Sequence, residues 1–242
     1  MAKLRRTWRA LVQRMFRSVR RKYYRYAFGK RSAVARKLGS IVESFERKQG
    51  SQDIPLRPEQ WNRNYMSGMW AHLHDLSERA RFMVTIAYIV SLKPQAAVLD
   101  VGCGEGILFR LYRPHGYSRY LGIDISDACL QALTAWQDDK THFLQADAEH
   151  YRPSDTFDVI VFSETLYYFR DPLGTTARYA ESLRTDGFFV VSTYARSIRA
   201  RAILRELKKN YHVIDETEIR RGEKSWFCSV LRPGSPAPGR PE

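Results

Sequence analysis

Residues 98–108 read VLDVGCGEGIL: an apolar run that ends in a carboxylate, three glycines on alternate positions, and the start of a helical pattern. A buried strand that passes through a glycine turn into a helix is the opening of a βα unit, and few folds accommodate it. Asp100 then stands at the C-terminal end of the first strand, the edge at which open α/β sheets bind ligands. Gly102 and Gly104 let a ligand reach the main chain without meeting a Cβ. The alternation continues downstream. Strands are expected at Ala97–Val101, Tyr120–Asp124, His142–Ala146, Phe157–Phe162 and Phe188–Thr193, and helices at Ile107–Arg113, Asp127–Gln137, Pro172–Leu183 and Ile198–Lys209. The segments YHVIDETEIRR and EKSWFCSVLRP follow with little room for a helix between them, so they read as a hairpin. The expectation is an α/β fold: a doubly wound, mostly parallel, seven-stranded sheet with an antiparallel C-terminal edge hairpin.

The glycine spacing restricts what the loop can hold. A dinucleotide fingerprint needs G-x-G-x-x-G, but here Ile107 stands where the third glycine would fall. A Walker A loop needs a Lys-Ser or Lys-Thr pair after its last glycine, and none follows Gly106. A carboxylate at the strand end is also a poor neighbour for a pyrophosphate. It suits a bound ammonium or a ligand hydroxyl.

From Ala96 to Tyr194 the motifs resemble, in order, those of class I S-adenosylmethionine-dependent methyltransferases. The resemblance implies a Rossmann-like domain with S-adenosyl-L-methionine as cofactor. It places Asp100, Gly102, Gly104 and Gly106 under the methionine part of that cofactor, with Cys103 inside the same loop and its thiol given to packing. Asp124, in YLGIDIS, would grip the ribose hydroxyls, with Ile125 against the adenine. Asp147 and Ala148, in FLQADAEH, would sit at the adenine edge. The run FDVIVFSETLYYF resembles the family's substrate-facing motif, with Ser163 and Glu164 at the strand exit, Ser163 being grouped with the cofactor contacts.

Methyl transfer asks little of side chains, because most of the acceleration can come from orientation. A base is needed only where the acceptor must lose a proton near the transition state. Glu164, Tyr167 and His150 are the catalytic candidates, and Tyr65, Trp70, Arg81 and Tyr168 the candidates for substrate contact. The fourth motif, SETLYYF, is not the Asn/Asp-Pro-Pro-aromatic motif of exocyclic-amine nucleic-acid methylases. Neither a Pro-Cys nucleophile, nor the second acid of a paired-glutamate loop, nor the acid cluster of magnesium-dependent catechol enzymes is found. His72 and His74 are two apart and diverge on a helix, so no metal is expected. What remains is transfer to an O or N atom of a small molecule, a sugar or a lipid-linked glycan. SETLYYFRDP also resembles bacterial enzymes of nodulation-factor and surface-polysaccharide type. Alternatives are a nucleic-acid methyltransferase and a non-catalytic interaction module of the same fold.

The charge is distributed in one block. Residues 1–50 hold 16 Lys and Arg against Glu43 and Glu46, which accounts for the whole net charge of +14. Leu4, Trp8, Leu11, Val12, Met15, Phe16, Val19 and Tyr23 recur at three- and four-residue steps, and Val34, Leu38, Ile41, Val42 and Phe45 repeat the pattern after Gly29. Two amphipathic basic helices are expected. They suit docking on the main domain, an anionic membrane surface, or RNA or another polyanion. An Arg-rich, acid-poor start also resembles a transit peptide. The expected organisation is a basic helical arm over 1–50, a linker and helical cap over 51–93, a cofactor-binding domain over 94–231 and a disordered tail over 232–242. A helix is expected from Trp70 to Leu92, ended by Pro94. Three dispersed cysteines and the lack of a secretory signal pattern point to a reducing, cytoplasmic setting, with peripheral membrane contact through the arm.

Overall fold

Seven strands join in one sheet in the computed structural model, which describes residues 2–30, 32–48 and 56–234, with side chains from residue 11 to 46 in the first two segments. Most of the expected linker, and residues 235–242 of the expected tail, lie outside the described residues. In chain order the elements are α1 (Ala2–Lys22), α2 (Ala33–Lys48), α3 (Pro58–Met66), α4 (Leu76–Leu92), β1 (Ala97–Val101), α5 (Ile107–Tyr112), β2 (Arg119–Asp124), α6 (Asp127–Leu130), β3 (Thr141–Gln145), β4 (Phe157–Ser163), α7 (Pro172–Ala180), β5 (Leu183–Tyr194), α8 (Ile198–Asn210), β6 (Tyr211–Arg221) and β7 (Lys224–Pro233). The sheet order is β3-β2-β1-β4-β5-β7-β6. Only the pairs made by β7 are antiparallel. Because β1 pairs with both β2 and β4, the strand order reverses there, and a crevice opens at the carboxyl ends of these strands.

Alternation along each strand feeds two cores. Val98, Val159, Val161, Phe188 and Val190 face α4 and α5, where Phe82, Ile86, Ile89 and Phe109 close the layer. Leu99, Val101, Ile160, Phe162, Phe189 and Val191 face the other way, toward α7 and α8, meeting Tyr179, Ile203 and Leu207. A third, small cluster of Tyr24, Val42 and Ala202 seats the arm on α8.

Several boundaries differ from expectation. The helix expected from Trp70 begins at Leu76, because residues 71–74 wind as a 3-10 turn and Asp75 is extended (φ −65°, ψ 151°). Proline at the first helical position starts α3, whose end is set by the left-handed Gly68 (φ +71°). The expected helix over Asp127–Gln137 keeps one α turn and continues as 3-10 over Gln131–Trp136. β5 starts five residues earlier than expected, at Leu183, across an irregular register with β4. The first arm helix widens into a π turn at Tyr23–Ala27, within which Tyr24 is buried.

Candidate functional site

A single cavity of about 1180 Å³ runs along the carboxyl ends of β1, β2 and β4, and the first arm-to-cap elements roof it. One end is built from β1, β2 and the glycine loop. The Gly102 and Cys103 amides both donate to the Ile123 carbonyl (2.8 and 3.0 Å), which folds the loop back over β2. Gly104 has φ +53°, and a Cβ there would lie 2.8 Å from the Tyr65 hydroxyl. Its N–H instead donates to Asp124 Oδ2 (2.9 Å), while the Ser126 N–H donates to Asp124 Oδ1 (2.9 Å). Each Asp124 oxygen keeps a lone pair for a ligand hydroxyl. Burial raises the Asp124 carboxyl, and those two amides oppose the rise.

Asp100 is buried at the end of β1. Its Oδ2 accepts from the Tyr120 hydroxyl (2.7 Å), and its Oδ1 has no partner among the described residues. Burial, with Asp124 nearby, pushes this carboxyl up to about 7, against the opposing Tyr120 hydrogen bond. A buried carboxylate with one uncompensated oxygen is a costly arrangement that a cationic ligand group relieves.

The other end of the cavity is aromatic and carboxylate-lined. Glu164, just past β4, has φ +61°, a conformation that costs a non-glycine residue about 1–2 kcal/mol. Its N–H donates to the Ser192 carbonyl (3.1 Å), fixing the turn. Its Oε2 accepts from the Tyr167 hydroxyl (2.9 Å) and its Oε1 from Ser192 Oγ (3.0 Å). Burial raises the Glu164 carboxyl, and Arg81 counteracts it. Arg81 is buried over the Phe82 ring and donates from Nε to Glu78 Oε2 (3.0 Å) and from Nη1 to Ser163 Oγ (2.9 Å). Lys224, from β7, donates to the second Glu78 oxygen (2.7 Å). Burial raises the Glu78 carboxyl, but the Lys224 and Arg81 hydrogen bonds outweigh it and the net direction is down. Trp61 stacks with Trp70 (5.7 Å) and meets Tyr168 edge-on (4.8 Å). Trp70 Nε1 is buried without a partner among the described residues.

The cavity thus gathers Asp100, Gly102, Cys103, Gly104, Asp124, Ile125, Asp147, Ala148, Ser163, Glu164, Tyr167, Tyr168, Tyr65, Trp70, Arg81 and His150. Gly106 is different: it is absent from the wall and takes φ +69° ahead of α5, where a Cβ would lie 2.6 Å from a Leu133 methyl. Its requirement is a tight turn and helix packing. Tyr65, expected against the substrate, lies over Gly104 at the acid end. Ser163, grouped with the cofactor contacts, is engaged by Arg81. His150 sits at the open rim, 83% exposed, with Nδ1 2.8 Å from Asp147 Oδ2 and apart from the Glu164 network, so it is poorly placed as a base. Burial raises the Cys103 thiol well above its ordinary value, which keeps it protonated and unreactive.

Sequence reasoning missed Trp61, Asn62, Glu78, Tyr194, Lys224 and Trp226. Asn62 ties α3 down through Ser126 Oγ (2.6 Å) and Asp127 Oδ1 (2.6 Å). These contacts span 64 residues or more, and no local pattern announces them.

Sheet order, glycine loop and cavity define the class I S-adenosylmethionine-dependent methyltransferase fold. The methyltransferase domain family matches residues 65–227, most of the 242-residue chain, and the chain belongs to that family. It is 29% identical over 104 residues to malonyl-[acyl-carrier protein] O-methyltransferase of Acetivibrio thermocellus, covering 42% of this chain and 37% of that one. It is 34% identical over 101 residues to tRNA U34 carboxymethyltransferase of Shewanella loihica, covering 40% of this chain and 31% of that one. These matches therefore span about a third of the length of either relative. The N-methyltransferase NodS of Bradyrhizobium japonicum, solved with S-adenosyl-L-homocysteine, shares the fold at a TM-score of 0.60 and 18% identity, over 68% of this chain and 92% of that one. S-adenosylmethionine is the cofactor of this class, and the residues present fit it: the uncompensated Asp100 oxygen, the Cβ-free approach at Gly104 and the half-satisfied Asp124 carboxylate.

Proposed function

We propose that this protein transfers a methyl group from S-adenosylmethionine to an O or N atom of a small-molecule, sugar or lipid-linked glycan acceptor. One observation carries the reading: a single cavity joins an acid-and-glycine end to an aromatic end that holds a buried glutamate. The first end suits the polar groups of the cofactor and the second a compact acceptor. On this reading residues 94–231 are the cofactor-binding domain, roofed by 51–93, and the arm over 1–50 brings it to an anionic membrane surface.

When bound, the cofactor supplies a methyl group already activated by its sulfonium. Asp124 would accept from the ribose hydroxyls and Asp100 from the ammonium, while Ile125, Ala148 and Asp147 border the adenine. Trp61, Trp70 and Tyr168 would hold the acceptor and exclude water, and such alignment can supply roughly 7–11 kcal/mol of the barrier. Glu164, whose carboxyl is raised by burial, would take the proton of the acceptor O–H or N–H, with Tyr167 and Ser192 fixing its orientation. Arg81 positions Ser163 and Glu78 beside it.

A second reading, a nucleic-acid methyltransferase that grips with its arm, is supported by the 16 basic residues of that arm and the similarity to a tRNA-modifying relative. It requires a steeply salt-dependent affinity for RNA that disappears on removing residues 1–50. Calorimetry tests the cofactor half of both. S-adenosyl-L-homocysteine should bind the wild type and lose at least tenfold in affinity with Asp124→Ala. Absence of binding, or binding indifferent to the substitution, would support the non-catalytic module instead.

A further inference from the structure

We infer that the outer face of the arm hairpin is a docking surface for an anionic lipid bilayer. α1 and α2 run antiparallel: Phe16 stacks on Phe45 (3.6 Å), Arg20 pairs with Glu46, and the Tyr23 hydroxyl presses on Gly39. Tyr24, Ala35, Val42 and Glu46 are buried, and Tyr24 and Val42 form the inner face against α8. Among the described residues, none covers the opposite side. Leu11, Met15 and Val19, spaced by four on α1, are 48%, 62% and 39% exposed, and Val34 and Ile41, two turns apart on α2, are 70% and 49% exposed. Four- and seven-residue spacings hold each set on one helical face.

The helical geometry puts both rows on the same side of the hairpin. On α1 the row lies about 100° of helical rotation from the Phe16 and Arg20 contacts, and on α2 it lies a similar angle from Val42 and Glu46. Because the helices are antiparallel, these two rotations carry the rows to one common face. Exposed Lys22 and Lys37 lie within or beside the rows, and Arg14 stands about 100° of helical rotation away at the edge. An aliphatic strip edged by arginine and lysine is the chemistry of an interface-lying helix, with its cations at the headgroups and its side chains among the upper acyl carbons.

The aliphatic strip decides between polyanions. A phosphate backbone would use the basic residues and leave Leu11, Met15, Val19, Val34 and Ile41 in water, whereas a bilayer uses both sets. Among the described residues no helix is long and apolar enough to cross a membrane, so the contact is peripheral. Glu43, on α2, lines the catalytic cavity. Glu43 lies about 170° of helical rotation from the Val34 and Ile41 row, so the cavity faces away from the docked side, and docking holds the protein at the lipid surface without naming the acceptor. The docking does not rest on the methyl-transfer reading.

The test is co-sedimentation of the full chain with vesicles of phosphatidylcholine alone or mixed with phosphatidylglycerol, beside titration with S-adenosyl-L-homocysteine. The wild type should bind the anionic vesicles at least tenfold more tightly than the neutral ones. The double variant Met15→Glu/Ile41→Glu, at exposed sites, should lose at least tenfold in vesicle affinity with unchanged homocysteine-cofactor affinity. The triple variant Arg14→Gln/Lys22→Gln/Lys37→Gln should do the same. Equal binding to both vesicle types, no binding, or a double variant that binds like wild type overturns the proposal. So does RNA binding that the triple variant loses, combined with no vesicle binding by the wild type. Vesicle binding by a protein that ignores the cofactor product would leave the docking standing and remove the methyltransferase reading.

Discussion

Arg199 Nη1 donates to the Tyr24 hydroxyl at 3.2 Å, a bond between α8 and the arm across 175 residues of sequence. The same guanidinium donates from Nε to the Tyr167 carbonyl (2.9 Å) and from Nη2 to the Phe169 carbonyl (2.6 Å). One buried cation therefore ties the arm to the segment that carries Tyr167 and Tyr168 into the cavity. Burial disfavours the charged guanidinium, but Tyr24, Glu43 and Glu46 more than restore it, so its proton is held above the ordinary value. Replacing Arg199 with Met strands two carbonyls, leaves the Tyr24 hydroxyl only its bond to Glu46, and should destabilise the fold by about 3–5 kcal/mol in chemical denaturation. Arg199→Lys keeps the charge without the planar fork. It should retain more stability and raise the acceptor KM severalfold, with S-adenosyl-L-homocysteine affinity unchanged.

The hold of α3 on the cofactor end rests on Asn62, which accepts from Ser126 Oγ and donates to Asp127. Both partners follow directly after Asp124 in sequence, so the tether closes over the carboxylate that would meet the ribose. Asn62→Ala should speed release of S-adenosyl-L-homocysteine up to about thirtyfold, in line with two lost hydrogen bonds of about 1 kcal/mol each. The on-rate should change little. Stopped-flow displacement separates the two rates, and an unchanged off-rate would mean that α3 is held by its aromatic contacts alone.

Much of this arrangement was legible in the sequence, and what was not has a common cause. Periodicity and the glycine turn foretold the strands, because Val98 and Leu99 must bury on opposite faces whatever surrounds them. Asp100 and Asp124 were placed by the strand ends that carry them. Glu78, Lys224 and Asn62 were not, because each acts through a partner 64 or more residues away. Gly106 carries a second requirement that its place in a motif does not announce: its φ is +69° and a Cβ there would meet Leu133, so its need is also conformational.

Asp100 should make both stability and ligand affinity depend on pH. Its carboxyl sits at about 7 when folded and at 3.8 as a free side chain. Between those values the folded protein binds a proton that the unfolded chain does not. Stability therefore falls as pH rises from about 4 to about 7 and levels off above. Cofactor affinity should run the other way, because an ammonium partner needs the ionised carboxylate. S-adenosyl-L-homocysteine should bind roughly tenfold more weakly per pH unit below about 7, with proton release on binding. Asp100→Asn should flatten both profiles and raise the melting temperature of the ligand-free protein at alkaline pH, as read by scanning and titration calorimetry.

Glu164, the proposed base, sets function against stability most directly. Its φ of +61° is a left-handed conformation, and its buried carboxyl is held by Tyr167 and Ser192. Such a strained, desolvated acid persists when the surrounding structure over-determines it, and strain of this kind gathers at functional sites. Glu164→Gly relieves the backbone, worth about 1–2 kcal/mol, and removes the desolvated carboxyl, but leaves Tyr167 and Ser192 hydroxyls in need of partners. Glu164→Gln keeps the strain and one of the two acceptor oxygens, replaces the other with an amide donor, and loses the base. Both variants should keep S-adenosyl-L-homocysteine affinity, and both should lose about 10²–10⁴ in turnover of an acceptor that must shed a proton. Only the glycine variant should gain stability relative to Gln, which denaturant unfolding would show. If Glu164→Gln turns over at the wild-type rate, the carboxyl orients the acceptor and takes no proton.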